Sequence, residues 1–289
     1  MAAVILKGIN VVNAAKSELS ARAAGLAAAY ARPALAIVGI GARPDDEAYV
    51  RGAVKRCESL GIKCEIHTFD AGITNAAFLE EFKKINDVQS VHGILALSPM
   101  PAGIDRDAVK TMIDPVKDVD CMSPTNMAKL FSGDASGHAP CTPSAVMELL
   151  RFYGIPISGS RVTLVGRSLV VGKPLAMLLL AEHATLTVCH TRTRDLADEC
   201  RRADILIAAA GKAHMISGDC IKPGAVVIDV GINAGADGVL RGDVDYEAAA
   251  AVAGYITPVP GGVGVVTTSI LARNTLDACE SLARRRVMK

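Results

Sequence analysis

Aromatic residues are scarce in this chain. They make up 3% of its 289 residues, and tryptophan is absent. A core must therefore be assembled from Ala, Val, Leu and Ile. Charge imbalance is missing too: 31 Lys and Arg face 30 Asp and Glu, for a formal net charge of +1. That excludes nucleic-acid or membrane-surface binding driven by bulk charge. No uncharged apolar run reaches the ~18 residues of a membrane span. The N-terminal MAAVILKGINVV is too short an apolar stretch for a secretory signal and carries no cleavage site, so a cytoplasmic protein is expected. The eight cysteines (Cys57, Cys64, Cys121, Cys141, Cys189, Cys200, Cys220 and Cys279) include no C-x-x-C pair. Scattered through apolar or helical segments, they read as buried reduced thiols, and no cluster with zinc spacing offers a metal site.

What is present is a globular composition, 51% hydrophobic and 21% charged, on a chain long enough for two domains. Strand and helix patterns alternate almost throughout, which predicts an α/β protein with parallel sheets. Helices are predicted from Asn13 to Tyr30, Asp45 to Leu60 and Asn75 to Ile85. Strands are predicted at Ala34–Ile40, Lys63–Thr68 and Val91–Leu97, the last running into the stiff loop Ser98-Pro-Met-Pro-Ala102. Asp114 to Thr142 reads as an irregular surface loop leading to a domain junction. Beyond it, Pro143 to Tyr153 is helical, and strands are predicted at 161–165, 186–190, 204–210 and 224–230. The expected organisation is a first domain over 1–142 and a Rossmann-like dinucleotide domain over 143–265. A final helix, about 266–289, is expected to pack back on the first domain.

The most informative stretch is Arg161-Val-Thr-Leu-Val-Gly-Arg-Ser-Leu-Val-Val-Gly-Lys-Pro174. A buried strand meets a turn at Gly166-Arg167-Ser168, and a helix opens at Val171–Pro174. A strand, a glycine turn and a helix N-terminus form an anion site, because amide N–H groups and the helix dipole point at the ligand. The spacing is G-x-S-x-x-x-G rather than the dinucleotide fingerprint G-x-G-x-x-G, and a merely close strand–helix junction is the alternative reading. The second strand of this unit ends Cys189-His190-Thr191-Arg192-Thr193, with no acid to bond an NAD ribose. Arg167 and Arg192, with the nearby hydroxyls, suit a 2′-phosphate, since a guanidinium binds phosphate oxygens in pairs. NADP is therefore favoured over NAD; the alternative leaves Arg192 as a solvated surface charge. His190 reads as a packing or hydrogen-bonding residue rather than a general base.

Together these motifs resemble the methylenetetrahydrofolate dehydrogenase/cyclohydrolase family over nearly the whole chain. The carrying segments are Asp118-Val-Asp120, Pro140-Cys-Thr-Pro143, Val165-Gly-Arg-Ser168 with Val171-Gly-Lys-Pro174, Val227-Ile-Asp-Val-Gly-Ile-Asn233, and Tyr255-Ile-Thr-Pro-Val-Pro-Gly-Gly-Val-Gly264. The resemblance implies two α/β domains with a folate across the cleft between them, a nicotinamide cofactor on the second domain, and a homodimer. It assigns stacking on the folate to Tyr49 and pterin binding to Asp120. It makes Pro260, Gly261, Gly262, Val263 and Gly264 the loop that closes over the substrate. Ile232 becomes a backbone contact to the cofactor, beside Gly166, Arg167, Ser168, Thr191 and Arg192. The usual V-G-P-M-T of that loop is Val263-Gly-Val-Val-Thr267 here.

Two departures decide the expected chemistry. The family motif Y-x-x-x-K reads Tyr49-Val-Arg-Gly-Ala53, and Lys55 lies about 200° further round the helix. The family's L-V-Q-L-P-L-P reads Leu95-Ala-Leu97-Ser98-Pro-Met-Pro101, so Leu97 holds the glutamine position. Adjacent Ser98 points the other way along a strand. Hydride departure mainly needs donor and acceptor carbons held in contact. Water addition needs proton transfer, to which a positioned acid/base contributes about 10²–10⁴-fold, and Ala53 and Leu97 transfer no proton. The expectation is an NADP-dependent dehydrogenase with little or no cyclohydrolase activity, working beside a separate cyclohydrolase. The alternatives are a complete bifunctional enzyme and a catalytically silent folate- or nucleotide-binding subunit.

Overall fold

The structure, a computed structural model, describes residues 2–41, 44–235 and 237–287. In chain order its elements are β1 (Val4–Ile5), α1 (Gly8–Ala29), β2 (Ala34–Ile40), α2 (Pro44–Ser59), β3 (Lys63–Phe69), α3 (Asn75–Asp87), β4 (Gly93–Ala96), α4 (Arg106–Met112), α5 (Pro124–Ser132), α6 (Cys141–Phe152), β5 (Arg161–Val165), α7 (Gly172–Ala181), β6 (Thr185–Cys189), α8 (Leu196–Arg201), β7 (Ile205–Ala208), β8 (Val226–Asp229), β9 (Asn233–Ala234), β10 (Leu240–Arg241), α9 (Tyr246–Ala250), β11 (Tyr255–Ile256) and α10 (Val263–Val287). This is the α/β alternation that the sequence predicts. Among the described residues, no helix is long and apolar enough to cross a membrane. The chain divides into two compact units, residues 1–14 with 142–267, and residues 15–141 with 268–289.

In the second of these, β3, β2 and β4 form a parallel sheet in that order. The central β2 is apolar and buried almost end to end, as a parallel strand covered on both faces must be. Helix α3 is capped by the Thr74 hydroxyl, which accepts from the Ala77 amide at 3.3 Å, and it buries Phe78, Phe82 and Ile85. These pack with Val38, Ile94 and Val109 into one core.

The segment from 114 to 142 departs from its expected surface loop. It contains α5, and Asp118, Val119 and Cys121 are buried. Its polar residues are turned inward because they satisfy one another. Asp118 accepts from the amides of Met122 (2.9 Å) and Ser123 (2.8 Å) and from Asn126 Nδ2 (3.0 Å). The strand β4 runs alongside, Ile94 N donating to Lys117 O at 2.6 Å. From α10, Asn274 Nδ2 donates to Val119 O at 2.8 Å and tethers the same segment.

The other unit carries a parallel six-stranded sheet in the order β1-β11-β8-β7-β5-β6. The chain leaves β5 for β6 on one side and returns to β7 on the other, so a topological switch point lies beside β5. The placement of residues 1–14 corrects the expected first domain of 1–142. Strand β1 pairs with β11, Val4 opposite Tyr255, and Gly8 N donates to Gly261 O at 2.9 Å. A two-residue edge strand has no periodicity to read. Helix α10 likewise begins at Val263, three residues before its expected start.

Asp118→Ala leaves the Met122 and Ser123 amides without an acceptor, while Asn126 Nδ2 keeps its bond to Pro115 O. At about 1–3 kcal/mol each, the expected outcome is a destabilisation of several kcal/mol, measured by thermal unfolding followed by circular dichroism.

Candidate functional site

Cys189, Val165, Ala208 and Asp229 lie side by side across β6, β5, β7 and β8. The loops that follow these four residues therefore leave from one edge. The first is the Gly166–Ser168 turn. Gly166 has φ +133°, and a Cβ there would collide with the Ala209 carbonyl oxygen; one on Gly172 would collide with the Gly166 carbonyl oxygen. The close strand–helix junction is thus real, and it presses the turn against the loop after β7.

The anion site differs in detail from its expectation. The Ser168 hydroxyl oxygen accepts from the amides of Val171 (3.1 Å) and Gly172 (3.4 Å), and the Ser168 carbonyl accepts from Lys173 N (2.9 Å). The first amides of α7 are already bonded, and Pro174 has none. What faces outward is the Ser168 O–H, still free to donate because its oxygen is accepting, together with the exposed Arg167 side chain. Arg192 and Thr191 are exposed in the loop after β6. The Arg192 amide donates to His190 Nδ1 at 3.1 Å, and His190 N donates to Thr193 Oγ1 at 2.8 Å, so His190 braces this turn. Among the described residues neither Arg167 nor Arg192 is in an ion pair. A glycine cradle, an outward hydroxyl and two unpaired guanidinium groups fit a phosphorylated dinucleotide.

Further along the same edge, residues 229–232, Leu240 and 258–265 line a cavity of about 170 Å³. Ile232 is 61% exposed. Pro260, Gly261 and Gly264 share this cavity with it, so the structure brings the predicted loop and Ile232 together. Gly262 and Val263 line it as well. Val263 opens α10 and does so from a largely buried position. Thr257 Oγ1 accepts from Asp229 N at 2.7 Å and ties the loop to β8.

The remaining predicted residues lie in the other unit. Tyr49 sits on α2. Burial holds its hydroxyl well above the usual tyrosine range, and the neighbouring Cys141 and Asp120 reinforce the effect. Asp120 Oδ1 accepts from the Cys141 amide at 2.7 Å, at the first residue of α6. Burial raises its carboxyl, and that hydrogen bond opposes the rise. Tyr49, Asp120 and Cys141 therefore form one cluster. Ala53, one turn along from Tyr49, is 0% exposed, whereas Lys55 stands in solvent beside Val54 and Glu58 on another face of α2. Leu97 N donates to Val38 O at 2.8 Å, and its side chain covers Gly39 on β2. Ser98 is exposed beside it.

Four residues escaped the sequence reading. Arg56 lies seven residues from Tyr49 and three from Ala53, on the same helical stripe. Its Nε is buried without a hydrogen-bond partner, and burial lowers its pKa. The helical period signals it; a search for lysine passes over it. Cys141 contributes through its amide, which no residue pattern reveals. Asp229 and Asp243 are buried polar residues at the loops after β8 and β10.

Residues 6–120 match the sequence model of the tetrahydrofolate dehydrogenase/cyclohydrolase catalytic domain, and residues 140–283 match that of the family's NAD(P)-binding domain. The chain is 48% identical over 276 residues to the bifunctional protein FolD of Clostridioides difficile (strain 630), covering 96% of each. A solved bifunctional FolD enzyme, methylenetetrahydrofolate dehydrogenase/cyclohydrolase from Campylobacter jejuni, is similar at a TM-score of 0.94 and 38% identity, over 97% of this chain and 99% of that one. The Trypanosoma brucei enzyme, solved with NADP and an inhibitor, gives a TM-score of 0.93 and 39% identity, over 98% and 99%. This chain belongs to the tetrahydrofolate dehydrogenase/cyclohydrolase family.

Proposed function

We propose that this protein oxidises 5,10-methylenetetrahydrofolate to 5,10-methenyltetrahydrofolate, reversibly and with NADP, and that its cyclohydrolase activity is weak or absent. The observation that carries the second half is Ala53. The position that the resemblance gives to lysine holds a wholly buried methyl group, and the neighbouring Lys55 faces solvent elsewhere on the helix. Leu97, at the glutamine position, packs over Gly39.

Within this reading, Tyr49 stacks on the folate and Asp120 accepts N–H bonds from the pterin edge, fixed in place by the Cys141 amide. The Ser168 hydroxyl and the Arg167 and Arg192 guanidinium groups bind the cofactor phosphates, the arginines selecting the 2′-phosphate. NADP supplies the hydride acceptor. The protein's share is to bind, orient and exclude water. Ala53 and Leu97 hold no proton to give or take, so hydration of the methenyl product proceeds at close to its spontaneous rate. A separate cyclohydrolase then takes the methenyl product onward. Two copies pair through the sheet edge at β6, where Val188, and Leu180 on neighbouring α7, are exposed.

A second reading, the complete bifunctional enzyme, agrees with the names of the relatives. The Arg56 guanidinium favours it, as a cation on the Tyr49 stripe whose Nε is buried without a hydrogen-bond partner among the described residues.

One assay decides between the two. With methylenetetrahydrofolate and NADP, methenyl product is expected to accumulate and to decay no faster than without enzyme. Enzyme-dependent decay that Arg56→Gln abolishes establishes the bifunctional reading instead. Ala53→Lys with Leu97→Gln is expected to introduce measurable cyclohydrolase turnover. For the cofactor, Arg192→Ala is expected to raise the KM for NADP roughly tenfold, the loss of a hydrogen bond to a charged group, and to leave the KM for NAD unchanged.

A further inference from the structure

The six-stranded unit buries two carboxylates that the proposed chemistry does not use. Asp243 is 0% exposed. Its Oδ2 accepts from the amides of Ala210 (2.6 Å) and Gly211 (2.9 Å), and its Oδ1 accepts from Lys212 N (2.9 Å) and Asn233 Nδ2 (2.9 Å). Asp229 ends β8. Its Oδ1 accepts from the amides of Gly231 and Asp243, each at 3.0 Å, and its Oδ2 accepts from Val244 N at 2.9 Å. The two side chains are linked through the Asp243 amide. Among the described residues, neither is in an ion pair; N–H dipoles alone take the place of water. Glycine makes this possible: a Cβ on Gly231 would collide with the Asp243 carboxylate, and one on Gly242 with that of Asp229.

The segments held in this way are those at the cofactor edge. Ala210–Lys212 continues the loop that Gly166 presses against, next to the phosphate turn. Gly231 and Asn233 flank Ile232, which projects into the cavity shared with the Pro260–Gly264 loop. A third connection runs from the Asp229 amide to Thr257.

We propose that Asp229 and Asp243 are positioning residues for the nicotinamide cofactor: two amide-solvated carboxylates that lock the loops after β7 and β8 into the shape that receives it. The inference rests on the reading that these strand ends bind NADP. Neither carboxylate touches the reacting atoms.

The arrangement carries a pH dependence. Burial pushes the Asp229 carboxyl up to about 6, against its three amide donors, with the Asp243 charge adding to the rise. Asp243 is the charged group facing it, and Thr257 at the end of β11 presents a hydroxyl. Every group aimed at the Asp229 oxygens is a donor. A proton on either oxygen therefore removes an acceptor, and segment 242–244 loosens together with the Asp243 contacts it carries. The sign for global stability is the opposite. A carboxyl raised from 3.8 to about 6 adds stability as pH falls through that window. Cofactor affinity and fold stability thus move apart on acidification, which a merely structural role would not produce.

The experiment is NADP binding by the full-length protein from pH 8 to pH 5, with methylenetetrahydrofolate oxidation kinetics and thermal unfolding alongside. The cofactor's own 2′-phosphate titrates near 6 and contributes equally to every variant, so the readout is the difference between proteins. Wild type is expected to lose at least fivefold more NADP affinity below pH 6 than Asp229→Asn does, without a matching fall in Tm. Asp243→Asn is expected to raise the KM for NADP about tenfold while kcat changes less than threefold. Asn233→Ala removes one donor of four and keeps both carboxylates, so it serves if the aspartate variants do not fold; a rise of a few-fold in the same KM is expected. The inference is overturned if wild type and Asp229→Asn share one acid limb, or if the KM is unchanged in Asp243→Asn or Asn233→Ala. Absence of NADP binding by wild type at every pH overturns the inference together with the reading beneath it.

Discussion

Parallel strands send their following loops out of one edge, and much of the cofactor half depends on that edge being level. Val165, Ala208 and Asp229 lie in register on β5, β7 and β8, with Cys189 beside them on β6. Because β6 and β7 flank β5 on opposite sides, the loops there diverge and leave a crevice. The glycine turn, the arginine-bearing turn after β6 and the cavity around Ile232 all inherit their positions from this alignment. A one-residue slip of β5 would face its buried residues toward the wrong side of the sheet and withdraw the turn at the same time.

On top of that register the protein uses one device repeatedly. A carboxylate is taken out of water and surrounded by N–H groups of the chain. Asp118 does so for the segment leading to α5, and Asp229 with Asp243 for the loops of the six-stranded unit, while Asp120 takes one amide at the start of α6. Each holds irregular backbone in one shape where no strand or helix could.

The parts legible in the sequence were those written as local patterns. Buried strands such as Ala34–Ile40 announced themselves as apolar runs, and the glycines of 166–172 marked their turn. The order of the motifs carried the family. The parts not legible were those in which polarity and exposure diverge. Asp118, Ser123 and Asn126 read as a surface loop because their partners are one another, a fact that only three dimensions reveal. The Ser168 hydroxyl belongs to the turn that the sequence marks as an anion site, yet its oxygen occupies two of the amides that would bind the anion. Arg56 was within reach of a helical-wheel argument; the amide of Cys141 was not, since it belongs to the backbone.

The short strand β1 carries a consequence for how the molecule is made. Residues 4–8 contact Tyr255, Ile256 and Gly261, so β1 has no partner until that distant stretch of chain has been made. Contacts of such sequence separation repay their loop-closure entropy late. The 257–264 loop that this strand braces is therefore expected to settle late. A nascent chain can own a folded sheet and a glycine turn while still lacking a finished loop at its cavity.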